Sequence, residues 1–142
     1  MDIRKLTIDD YEDMTKLWSK ARLPFRPKGR DGRKAIAAEM KANPDFFLGA
    51  FEGSQLIGLV VASCDLRKGW LNRLVVDPNN RRRGVAKNLI TEAERVLRDR
   101  GIRIFCALIA ECNTPSKELF KKCGYVEDRD EIYFSKRESD EV

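Results

Sequence analysis

Apolar positions along the chain recur with two periods, and the changes from one to the other mark out its elements. Ile3 to Leu6 form a short strand-like run, and Thr7 followed three residues later by Asp10 is a helix-start pattern in which side chains satisfy free backbone N–H groups. Beyond it Ile8, Tyr11, Met14, Leu17, Trp18 and Ala21 repeat at helical spacing, predicting an amphipathic helix to about Arg22. Pro24, Pro27, Gly29 and Gly32 interrupt regular structure between Leu23 and Gly32 and predict a loop. A second helix is expected over Arg33–Ala42, ending before Asn43-Pro44 because the residue preceding proline is driven out of the helical region.

Phe46–Phe51 and Leu56–Ala62 are apolar, partly β-branched runs joined by Gly53-Ser54, a two-residue hairpin signal. A turn over Asp65–Gly69 leads to a third strand, Trp70–Val76, and the three make an antiparallel meander. Between Asp77 and Gly84 the period changes from two to 3.6. Val85, Leu89, Ala93, Val96 and Leu97 then form one stripe of a helix that Gly101 ends. Ile102–Ile109, nearly all apolar, predicts a strand buried on both faces, so that strand, helix and strand form a βαβ crossover with parallel strands. Asn113 or Thr114 caps a last helix, with Pro115 early in it, Leu119 and Phe120 inward and Gly124 at its end. Tyr125–Glu127 and Ile132–Phe134 read as a closing hairpin, and the acidic residues 138–142 as a disordered tail after a single domain over 1–137. The class is α/β with a mixed sheet.

Composition narrows the chemistry. A chain of 142 residues, 42% hydrophobic and 36% charged, supports one core under a solvated surface. No stretch approaches the roughly 18 apolar residues of a membrane helix, so the expectation is a cytoplasmic protein with no membrane partner. Histidine is absent, which excludes nucleophiles activated by an imidazole base. Cys64, Cys106, Cys112 and Cys123 lack metal-ligand spacing, so no metal is expected and the thiols are read as reduced. With 28 Lys and Arg against 23 Asp and Glu, the net charge of +5 suits an anionic ligand, but no aromatic interleaving points to nucleic acid.

The most informative segment is Val75-Val76-Asp77-Pro78-Asn79-Asn80-Arg81-Arg82-Arg83-Gly84-Val85-Ala86, between a strand and a helix start. Such a turn aims unpaired N–H groups and the positive helix end at one spot, which suits a phosphate or pyrophosphate. Gly84 allows close backbone approach, and Ala86 leaves the surface open. Taken alone, the same arginines also fit a solvated charge run. Neither a Walker loop nor a dinucleotide fingerprint is present.

Arg81-x-x-Gly84-x-Ala86 resembles the pyrophosphate loop of the GNAT acyltransferases, and Asn113, Leu119-Phe120 and Gly124-Tyr125 resemble, in order, that superfamily's second signature. The resemblance spans residues 2 to 136 and implies a mixed six- to seven-stranded sheet with about four helices. It implies acetyl-CoA as cosubstrate, with no metal, and transfer of an acetyl group to a primary amine on a small molecule or a protein. Amides of Leu74 and Val76, around Val75, would then hold the pantetheine arm as an added strand does. Those of the loop formed by Arg81, Arg82, Arg83, Gly84, Val85, Ala86 and Lys87 would hold the pyrophosphate, and Asn113, Ser116 and Phe120 would line the CoA.

The chain departs from the family pattern in two respects, the acid and the base. Phe120 stands where a tyrosine acid is usual, and Trp70 and Leu108 stand where family members carry a glutamate base. The remaining catalytic candidates are Asn72, two residues from Trp70 on the same strand face, and Asp65 at a turn. Each also has a plain structural reading, as a strand-edge polar group and as a turn former. Phe25 and Arg26, held between two prolines, and Trp70 are the acceptor-site candidates, within a loop whose cations suit a carboxylate or phosphate. Direct attack by the amine in a ternary complex is one reading. The other is a non-catalytic CoA-binding sensor, and either suits a monomer or homodimer.

Overall fold

The computed structural model describes residues 1–142. Its centre is the hairpin of β2 (Phe47–Glu52) and β3 (Gln55–Cys64), closed at Gly53, whose φ of 60° is the left-handed geometry this tight turn demands. β4 (Gly69–Val76) pairs antiparallel with β3, and β1 (Asp2–Lys5) antiparallel with β2. A five-stranded sheet results, in the order β1-β2-β3-β4-β5, with β5 (Phe105–Cys106) running parallel to β4. The parallel step is the βαβ crossover expected from the change of period.

Four helices cover the two faces of this sheet. A 3-10 turn at Ile8–Asp10 precedes α1 (Tyr11–Lys20), and the Asp10 carboxylate accepts from the Thr7 N–H at 2.8 Å. α1 ends at Lys20, and Arg22, with φ 58°, has left the helical region. α2 (Arg33–Ala42) has the bounds read from the sequence. Both pack on one face, where Met14, Leu17, Trp18, Ile36 and Met40 meet Phe47, Leu59, Val61 and Val75.

On the other face lies α3 (Val85–Asp99), whose Val85, Leu89, Ala93, Val96 and Leu97 press against Leu48, Ala50, Ile57, Val60 and Leu71. The approach is close because Gly58 has no side chain: a Cβ there would lie 3.0 Å from Val85 Cγ1 and 3.1 Å from Leu89 Cδ1. α4 (Thr114–Lys122) adds only Phe120 to the fully buried set.

The last third departs from expectation. β5 is two residues long rather than running from Ile102 to Ile109, and it is not buried on both faces: Ile104 is 53% and Leu108 59% exposed. The closing hairpin does not form, and Val126, Ile132, Tyr133 and Phe134 are exposed. The two differences have one cause. With no strand laid along its outer edge, β5 has neither a hydrogen-bonding partner to extend it nor side chains to cover it, so the sheet has five strands instead of six or seven. The acidic tail lies against the α1–α2 loop, with Glu141 Oε1 3.5 Å from Lys28 Nζ and the Val142 carbonyl oxygen accepting from Arg30 at 3.3 Å. No helix is long and apolar enough to cross a membrane.

Because α3 is held to the sheet by its apolar stripe, Leu89→Ala is expected to destabilise the fold by about 2 to 5 kcal/mol. Thermal unfolding checks this, and a drop of roughly 6 to 15 °C is expected.

Candidate active site

β4 pairs with β3 along its whole length but with β5 only through Gly69–Phe105 and Trp70–Cys106. Past Trp70 the two parallel strands separate, leaving the β4 edge from Leu71 to Val76 without a strand beside it. The Asp77 N–H donates to the Ile57 carbonyl at 2.8 Å, so Asp77 and, by alternation, Val75 point their amides at β3. Leu74 and Val76, which flank Val75, therefore direct theirs to the open edge. The register shifts between Leu59 and Val61, where β4 bulges at Arg73, whose φ is 54°.

After β4 the chain makes a 3-10 turn, Pro78–Asn80, fixed by the buried Asp77. Its carboxylate accepts from the Asn79 N–H at 2.9 Å and from Lys20 Nζ at 2.9 Å, which joins the end of α1 to the turn. The Asn79 N–H, with Lys20 second, holds this carboxyl below its ordinary pKa. Arg82 and Gly84 then take left-handed backbone, φ 63° and 77°, and Gly84 becomes the N-cap of α3. The first bond of the helix is from the Asn88 N–H to the Gly84 carbonyl at 3.0 Å. From Arg81 to Lys87, including Arg83, Val85 and Ala86, no backbone N–H has a protein acceptor. No atom lies within 4 Å of where a Gly84 Cβ would stand. This is an anion cradle of backbone donors at a helix start, and Arg83 is tied beside it to Glu52 at 3.0 Å.

A cleft of about 1160 Å³ opens where β4 and β5 separate, lined in part by Trp70, Asn72, Cys106, Lys117, Phe120 and Tyr125. Phe120 is 5% exposed and packs edge-on against Tyr125, ring centroids 4.9 Å apart. Tyr125 donates to Glu94 Oε2 at 2.7 Å, and burial, reinforced by that carboxylate, drives its pKa strongly upward. Burial also raises the Cys106 thiol. All four cysteines are free. Asn113 caps α4, its Oδ1 accepting from the Ser116 N–H at 3.3 Å.

Of the catalytic candidates, Asn72 lies in the cleft wall, half-buried, with Nδ2 donating to Ser63 Oγ at 3.0 Å. Asp65 does not reach the cleft. Its carboxylate accepts from the Lys68 N–H at 2.8 Å and the Arg67 N–H at 3.0 Å, and these bonds hold its pKa below the ordinary value. A carboxylate so stabilised is a poor proton acceptor, and the turn explains the residue fully. Phe25 packs against the α1–α2 core, and the Arg26 N–H donates to Asp31 Oδ2 at 2.8 Å. Sequence reasoning passed over Trp18, Asp31 and Arg73, which meet Arg26 beneath this loop. The one available signal was Asp31, the lone acid in a basic loop.

The acetyltransferase (GNAT) family model matches residues 7–125. An acetyltransferase of Photorhabdus laumondii is 32% identical over 139 residues, covering 96% of this chain and 95% of the relative. One of Pectobacterium atrosepticum is 32% identical over 125 residues, covering 88% and 87%. Among solved structures, the aminoglycoside N-acetyltransferase AAC(6')-Iy, in complex with the bisubstrate analog CoA-S-monomethyl-acetylneamine, superposes with a TM-score of 0.78 at 28% identity, covering 96% and 97%. PaiA N-acetyltransferase from Thermoplasma acidophilum, in complex with coenzyme A, gives 0.75 at 27%, covering 91% and 92%. With the diverging strands, the backbone cradle and relatives that match it over nearly their whole length, the chain belongs to the acetyltransferase (GNAT) family and is an N-acetyltransferase.

Proposed function

We propose that the chain transfers an acetyl group from acetyl-CoA to a primary amine by direct attack in a ternary complex. The observation that carries this reading is the unbroken series of unpartnered amides from Arg81 to Lys87, next to the open edge of β4. The diphosphate of CoA matches the first in charge and acceptor count. Its pantetheine amides match the second, as an added strand would. The CoA complexes of AAC(6')-Iy and PaiA support the same assignment.

Acetyl-CoA supplies the thioester to be attacked. Leu74 and Val76 offer N–H groups on the open edge, where one binds the cosubstrate arm and the other meets the negative oxygen that develops as the amine adds. Asn72 is placed to orient the amine or a water that takes its proton. Phe120 supplies the opposite wall and Trp70 borders the acceptor side, while Asn113 and Ser116, paired in the cap of α4, lie outside the cleft lining and would meet CoA only beyond it. Phe120 has no proton for the departing thiolate, so that proton comes from the acceptor ammonium or from water. The missing hydroxyl also favours a second reading, a CoA-binding sensor with little turnover.

CoA at a hundredfold excess over its dissociation constant is expected to stabilise the fold by about 2.7 kcal/mol. Gly84→Glu places a negative charge in the cradle and is expected to abolish that shift in thermal unfolding. Gly84→Ala, which costs only backbone strain of about 1 kcal/mol or more at this φ, keeps most of it. An undiminished shift in Gly84→Glu removes the cradle from the cosubstrate site.

Thiol release from acetyl-CoA over a panel of amines distinguishes the two functional readings. The transferase reading expects turnover that Phe120→Tyr leaves nearly unchanged. The sensor reading expects the restored acid to raise a nearly dead rate by about 100-fold or more.

A further inference from the structure

Three buried donors have no protein acceptor within reach: Trp18 Nε1, Arg26 Nε and Arg73 Nε. Arg26 belongs to the α1–α2 loop, and Trp18 and Arg73 meet beneath it. The Arg73 guanidinium lies 4.2 Å over the Trp18 ring, with Nη2 donating to the Pro24 carbonyl at 2.8 Å and standing 3.9 Å from Asp31 Oδ1. Arg26 reaches the same carboxylate through its N–H, and Arg30 Nε lies 4.0 Å from it. Trp18 is fully buried, Asp31 is 2% exposed, and the three unpartnered donor atoms are themselves buried. An unmet donor in such a place is costly, and a fold carries three of them only where something else compensates.

The imbalance has a definite sign. Two guanidiniums, those of Arg30 and Arg73, and the backbone N–H of Arg26 stand around one carboxylate, and the unpartnered atoms of Trp18, Arg26 and Arg73 are all N–H donors. What is missing is a negatively charged hydrogen-bond acceptor, since Asp31, the carboxylate beside them, bonds none of the three. The bulge supplies the direction. Left-handed backbone at Arg73 is strained for a residue other than glycine, and it turns this side chain away from the open strand edge and under the loop. Arg73 lies between Asn72, in the cleft wall, and Leu74, whose amide faces the cosubstrate edge, so the cluster is one residue step from the acyl-transfer site.

We propose that Trp18, Arg26 and Arg73 form a subsite for a carboxylate carried by the acceptor amine, with the Leu23–Gly32 loop as its roof. The assignment rests on the acyl-transfer reading and names the class of acceptor: amines with a carboxylate close by, rather than polycations. Asp31 and the Pro24 carbonyl hold Arg73 when the roof is closed, and the incoming carboxylate takes their place. The outer cations Lys28 and Arg30 are engaged by the tail, which leaves the inner donors to discriminate.

The test uses glycylglycine and glycylglycinamide, amine acceptors that differ in the carboxylate alone. Wild-type kcat/KM is expected to favour glycylglycine by on the order of 10- to 100-fold, the range of one or two charge-assisted hydrogen bonds. Arg73→Gln should bring the ratio near one, chiefly through KM for glycylglycine. Trp18→Phe, which keeps an aromatic ring under Arg73 but removes the N–H together with the pyrrole part of the buried indole, should lower it severalfold. In both variants the CoA-induced stabilisation, unchanged from wild type, shows that the fold and the cosubstrate site persist.

Binding is read separately in Trp70→Phe, where Trp18 is the only remaining indole: glycylglycine should change its fluorescence and glycylglycinamide should not. A carboxylate-specific change without turnover of either probe upholds the subsite and overturns the acyl-transfer reading. Equal turnover of both probes with no fluorescence change overturns the subsite alone and assigns the three donors to buried water. A wild-type preference that survives in Arg73→Gln and Arg26→Gln also overturns it.

Discussion

A backbone amide taken out of a sheet must find an acceptor elsewhere, and the active region of this chain depends on that requirement. β4 is paired on one side from end to end and on the other for two residues only. The gap is held open by well-packed neighbours: α3 presses on the far face through a stripe from Val85 to Leu97, and Gly58 lets it come close. The sheet therefore presents a rigid row of donors at its interior. Directly after it the chain enters α3 with further amides unpaired, so that strand edge and helix start make one continuous donor surface.

Asp77 explains why this surface keeps its shape. A buried carboxylate that accepts from Asn79 and Lys20 fixes the turn leaving β4 and ties it to α1 on the opposite face. The cradle and the α1–α2 loop, which leaves α1 only a few residues beyond Lys20, thus share an anchor. That arrangement suits a reaction in which two substrates must be held against each other at once.

The readable parts of the sequence were those set by local chemistry. Gly53-Ser54 closes its hairpin, Asn43-Pro44 stops α2 at Ala42, and Gly84 takes the left-handed geometry that its place before α3 requires. Asn113 caps α4 as its position suggested. The unreadable parts depended on contacts between distant segments. A bulge at Arg73 leaves no mark on composition, because arginine is not a residue that seeks positive φ. The burial of Asp31 follows from the loop folding over Trp18, and a run of charges gives no sign of it. Ile102–Ile109 looked like a central strand because apolar content was read as burial. A strand lengthens only where a partner lies beside it, and none runs along the outer edge of β5.

Cys106 bears on the order of events. It lines the cleft through which a thioester would pass, and a thiolate there would compete with the amine for the acyl group, storing it on the protein as a second thioester. Burial raises its pKa, so the sulfur stays protonated and is a weak rival. In the direct transfer proposed above, the acyl group would then pass to the acceptor amine rather than to this thiol. Direct transfer of that kind would leave no acyl group stored on Cys106 between turnovers, and the cosubstrate would wait intact for its acceptor.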